Sequence, residues 1–98
     1  MKKKQLHITV TELAIRKGVK GDPCNCPVAK ALRRASKERI VSAGMGVMFI
    51  GPKNRRITWV TPYDVRNFIE IFDAGKPVVP FNFDMPLTST YPKIGLPN

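Results

Sequence analysis

Four cations recur at one helical spacing in this chain: Lys30, Arg33, Arg34 and Lys37 stand at i, i+3, i+4 and i+7. At about 100° per residue they share one side of a helix, while Val28, Ala31, Leu32 and Ala35 share the other. Like charges one turn apart repel by a few tenths of a kcal/mol. A basic face with no acid inside it is therefore expected to meet an anion. A second cluster, Lys53, Arg55 and Arg56, falls at the tip of an expected hairpin. Helix face and hairpin tip together predict a concave patch that holds phosphates, with the arginine fork suited to bidentate contact. Trp59 and Tyr63 would offer stacking faces for a base. The competing reading of Trp59 is an interior ring.

The other chemistry-bearing residues are few. Cys24 and Cys26 flank Asn25, and with the single histidine, His7, they supply at most three soft ligands. A closed zinc site takes four, at wider spacings, so Cys24 and Cys26 are weak metal candidates and no metal is expected. A disulfide across one intervening residue would be strained, and redox motifs use two intervening residues. The cysteines are expected to fill a tight turn as small hydrophobes. Cys26, at a helix start, is expected to be somewhat activated as a thiol. His7 has no acid near it in sequence, no carboxylate pair stands out, and no glycine-rich phosphate loop is present. The chain is accordingly read as a non-enzyme that uses no cofactor.

The charge balance sharpens this reading. The 98 residues carry a net charge of +10, unevenly spread. Residues 1–56 hold 14 Lys and Arg against three acids, and residues 57–98 hold three against four. Such a field repels itself, and a polyanion relieves it. The composition, 43% hydrophobic and 24% charged, is that of a globular domain. No run of 18 apolar residues exists to span a membrane, and the apolar run after the opening lysines is too short for a signal core. Two cysteines in such a chain suggest a reducing, intracellular setting.

The elements that must position these residues follow from pattern. Leu6, Ile8 and Val10 alternate with His7, Thr9 and Thr11, which predicts a half-buried strand. Thr11 is set to cap a short helix closed by Gly18. The basic helix is expected from Pro27, a residue suited to the first helical position, to Lys37. Ser42 to Gly46 reads as flexible or closely packed. Val47 to Ile50 and Arg56 to Val60 read as an antiparallel strand pair around the loop Gly51–Arg55. Thr61 and Pro62 open a further helix whose stripe Val65, Phe68, Ile69 and Phe72 should be core, with Gly75 at its end. Val78 to Met85 is an edge strand, because Pro80 cannot donate to a central ladder.

These pieces predict one α+β domain: a short antiparallel sheet with two to three helices packed on it. Residues 1–5 are expected to be a disordered basic start, 6–84 the domain, and 85–98 an extended Pro-rich arm or tail. An arm of that kind would pack on another subunit.

HITVT (His7 to Thr11) and CPVAKALRRA (Cys26 to Ala35), followed by a glycine-marked region and a PFNF ending, resemble small uncharacterised bacteriophage proteins. That resemblance implies the cytoplasm of an infected bacterium as the setting, and action on nucleic acid or on host defence. The expected function is binding of a phosphate-bearing ligand, a nucleic-acid backbone, through Lys30, Arg33, Arg34, Lys37, Lys53, Arg55 and Arg56. One alternative is a homo-oligomer that sequesters a cyclic or signalling nucleotide between subunits. Another is an inhibitor that docks on an acidic host defence protein.

Overall fold

A computed structural model describes residues 5–91 of the chain. Five strands and three helices run in the order β1 (Gln5–Val10), α1 (Glu12–Lys17), α2 (Pro27–Ser36), β2 (Val41–Ala43), β3 (Val47–Ile50), β4 (Ile57–Val60), α3 (Tyr63–Asp73) and β5 (Phe81–Pro86). The class is α+β, as the pattern predicts. The strands form two antiparallel sheets, however, where one was expected: β1 with β5, and β2-β3-β4 in that order. In the first, Gln5 faces Pro86 and Val10 faces Phe81.

α2 lies where both sheets pack on it, touching β1 of the first and β2 and β3 of the second. Its inward surface is wider than a narrow stripe. Val28, Ala29, Ala31 and Leu32 are all buried, together with Pro27. The alanines let backbones approach closely, and the core closes over them with Ile8 and Val10 of β1, Met48 and Ile50 of β3, and Trp59 of β4. Val65, Phe68, Ile69 and Phe72 of α3 are buried on the expected face.

Local chemistry sets the boundaries. Thr11 Oγ1 accepts the Ala14 N–H at 3.0 Å, the expected cap of α1. Gly18 serves differently from expectation. Its φ of −70° is ordinary, but a Cβ there would stand 2.5 Å from Cδ of Pro27. Close approach of the loop to the start of α2 is what excludes a side chain. Thr61 also departs from its expected role. It does not cap α3; its hydroxyl is turned inward and donates to the Gly44 carbonyl at 2.8 Å.

Two segments acquire structure that pattern did not assign. Val41–Ala43 forms β2, and the glycines after it make a turn in which Gly44 N–H donates to Val47 O at 3.0 Å. The expected boundary at residue 84 also shifts. Met85 and Pro86 complete β5, and the chain then runs along the outer edge of β4. Thr90 N–H donates to Thr58 O at 2.9 Å. Thr58 N–H donates to Ser89 Oγ and Val60 N–H to Thr90 Oγ1. Residues 87–91 thus cover a strand edge of their own molecule, satisfying groups that would otherwise recruit another chain. Gln5, the end of the expected disordered start, is the first residue of β1; residues 1–4 and 92–98 lie outside the described part.

α2 ends at Lys37, whose φ of 66° puts a side-chain-bearing residue in the left-handed region while its N–H donates to Arg33 O at 2.9 Å. Glycine adopts that conformation without steric cost, so Lys37→Gly should stabilise the fold by about 0.5–1 kcal/mol. Urea unfolding measures this as a raised midpoint at unchanged slope. An unchanged or lowered midpoint would show that the terminus is not strained.

Candidate functional site

The four cations of α2 do not act as one stripe. Arg33 is half-buried and committed: Nη2 donates to the Cys24 carbonyl at 2.8 Å and Nε to the Arg39 carbonyl at 3.2 Å. Its planar fork straps the segment entering α2 to the segment leaving it, a task for which lysine has no geometry. Lys37 is exposed at the helix end. Lys30 and Arg34 are one turn apart, about 6 Å along the axis, and both line the same side of the molecule.

The hairpin tip does not join them. Arg55 pairs with Glu38, which follows α2 directly. An acid thus stands between the helix cations and the tip, and the expected continuous patch is interrupted there. Arg56 places its guanidinium 3.9 Å from the centroid of the Phe49 ring and donates Nε–H to the Gly51 carbonyl at 3.0 Å. Lys53 alone of the three is solvated without such a contact among the described residues. Trp59 is 0% exposed and its indole N–H donates to Pro86 O at 2.8 Å, so it cannot stack on a ligand. Tyr63, at the first position of α3, is 75% exposed.

What the fold builds instead is a groove between β1 and α2. β1 pairs only with β5 among the described strands, and its outward residues His7 and Thr9, with Thr11 beyond, run beside α2. Two adjoining lobes share Thr9, Thr11, Ala31 and Arg34. The wider lobe, about 310 Å³, extends to His7 and Ala35. The narrower, about 170 Å³, extends to Leu13, Ala14, Lys17 and Lys30. No acid lines either lobe. From His7 to Thr11 the strand advances about 13 Å, so the groove is long enough for more than one anionic group. The Thr11 hydroxyl accepts from Ala14 and retains its own proton to donate.

Lys17, Thr9, Thr11 and His7 are therefore the site residues that the helical pattern missed. The alternation of β1 does place His7, Thr9 and Thr11 on one face. No local signal says that this face borders α2, because that is set by packing of elements far apart in sequence.

The cysteine turn is structural. Asp22 Oδ1 accepts from Cys24 N–H and Oδ2 from the Asn25 side-chain amide, both at 3.0 Å. The Asn25 amide, and then the Cys24 N–H, hold the Asp22 carboxyl below the usual carboxylate range. Cys24 is exposed, and Cys26 is buried with Sγ 3.9 Å from Ala43 O. Burial pushes the Cys26 thiol up, despite N–H groups of Ala29 and Val28 that favour the thiolate. The expected activation of Cys26 is thereby reversed: the apolar surroundings outweigh the helix start. Among the described residues no cluster of three or more His, Cys, Asp or Glu is placed to hold a metal.

No family model, curated protein or solved structure matches the chain. No helix among the described residues is long and apolar enough to cross a membrane.

The split between adjacent arginines is testable by stability alone. Arg33→Ala removes both bonds that strap the two segments and should cost about 1–2 kcal/mol. Arg34→Ala, exposed and without a bond among the described residues, should stay within about 0.5 kcal/mol of the parent. Equal effects in urea unfolding would contradict the assignment.

Proposed function

We propose that the groove between β1 and α2 binds the phosphate backbone of a nucleic acid. The observation that carries this reading is convergence: Lys17 from α1 and Lys30 and Arg34 from α2 border one acid-free groove floored by threonine hydroxyls. Ammonium and guanidinium groups neutralise phosphate oxygens, and hydroxyls donate to them. The three cations come from two elements, and among the described residues they make no internal bonds of the kind that commit Arg33, Arg55 and Arg56. The net charge of +10 supplies the long-range attraction that brings a polyanion to the surface.

A single nucleotide is the second reading, favoured by the 310 Å³ lobe, which is at the small end of ligand-sized cavities. The two differ in their dependence on salt. A single strand that releases counterions at three phosphates gives a slope of about −2 in log K against log salt. Each of Lys17→Ala, Lys30→Ala and Arg34→Ala should lessen that slope by about 0.7, and Lys53→Ala should leave it unchanged. Fluorescence anisotropy with a labelled 12-nucleotide strand, in a salt series, reads these values. Saturable binding of mononucleotides with little salt dependence would favour the second reading. Absence of binding, or loss on Lys53→Ala but not on Arg34→Ala, would refute the groove.

A further inference from the structure

The wider lobe of the groove ends at a histidine whose partner is supplied by the fold. His7 and Asp84 stand opposite each other in the β1–β5 register, 77 residues apart, and Nδ1 of His7 pairs with Oδ1 of Asp84. The absence of an acid near His7 in sequence is one of the grounds for expecting no catalysis, and this pairing removes that one. A carboxylate on Nδ1 fixes the tautomer and steadies the ring, which leaves Nε2 as the basic nitrogen. The same ring lines a lobe that contains Thr9, Thr11 and Arg34. A base held by an orienting acid, a guanidinium and hydroxyl donors are the parts needed to move a proton beside a phosphate and stabilise the charge that develops there.

We infer, resting on the reading of the groove as a backbone site, that the substrate is RNA and that His7 is the general base for its cleavage. Nε2 removes the proton of a ribose 2′-hydroxyl. O2′ attacks the adjacent phosphorus, and the O2′–P bond forms as the P–O5′ bond breaks. Arg34 balances the added charge on the phosphoryl oxygens. Water protonates the departing O5′, and His7 returns its proton to solvent. The products are a 2′,3′-cyclic phosphate and a 5′-hydroxyl, with no external oxidant or hydrolytic water consumed. Asp84 is a positioning residue, since it acts through the imidazole. DNA lacks the attacking hydroxyl, so it should occupy the groove and remain intact.

The test uses the full chain with three labelled 12-nucleotide strands: RNA, DNA, and RNA with one 2′-deoxyribose. Anisotropy reads binding, and single-turnover cleavage at saturating protein reads chemistry free of changes in affinity. RNA should be cut to cyclic-phosphate ends, DNA bound but uncut, and the mixed strand spared at its deoxyribose. His7→Gln should lower the cleavage rate by about 100-fold or more. Asp84→Asn should lower it by a smaller factor, with circular dichroism and Kd for DNA confirming an intact fold and groove. RNA that binds but is not cut overturns this inference and leaves the binding reading standing. Failure of both RNA and DNA to bind overturns the binding reading itself. Cleavage that persists undiminished in His7→Gln also overturns the inference.

Discussion

The indole of Trp59 is the point on which the two halves of this structure turn. It is fully buried in the core from β4, and a tryptophan in that position removes 150–250 Å² from water. At about 25 cal/mol per Å² this stabilises by roughly 4–6 kcal/mol, as an upper bound. Its N–H cannot go unpaired in such a place. The partner is the Pro86 carbonyl, at the end of β5. That one bond fixes where the first sheet ends relative to the second. β5 in turn holds β1 through a six-residue antiparallel register. β1 then presents His7 and Thr9, with Thr11 just past its end, beside α2, so the groove inherits its geometry from an interior contact remote from it.

Electrostatics explains how so basic a domain stays folded. Three of its seven arginines are spent internally. Arg33 holds two carbonyls, Arg56 lies on Phe49, and Arg55 meets Glu38. The delocalised, weakly hydrated guanidinium suits such contacts, and the fork gives each a definite orientation. The lysines remain at the periphery, where their compact charge stays hydrated. Arg34 is the exception on α2: an arginine without a bond among the described residues, in a groove that no acid lines. The uneven charge noted in the chain therefore divides into three committed arginines and a larger set of uncommitted cations, of which Lys17, Lys30 and Arg34 border the groove.

Long periodic segments were legible from sequence, and contacts between distant segments were not. The α3 stripe and the start of α2 at Pro27 follow directly from spacing and from proline's fixed φ. β2 escaped because three residues ahead of a glycine turn carry too little alternation to register. The covering of β4 by residues 87–91 rests on side-chain hydroxyls of Ser89 and Thr90, which have no periodic signature. At the site, the positions of Lys30 and Arg34 were legible, while the commitments of Arg33, Arg55 and Arg56 required partners with no neighbouring signal. Trp59 was legible as a large ring whose two readings pull apart. Burial decides for the interior, and the pairing of His7 with Asp84 could only come from strand register.

The location of the anion site is tested most directly by two-dimensional amide NMR of the labelled protein titrated with a short single-stranded DNA. The account predicts that shifts concentrate on Thr9, Thr11, Lys17, Lys30, Ala31 and Arg34, with the 53–56 tip and α3 left in place. Shifts centred on the tip or on α3, or an unchanged spectrum at saturating strand, would contradict it.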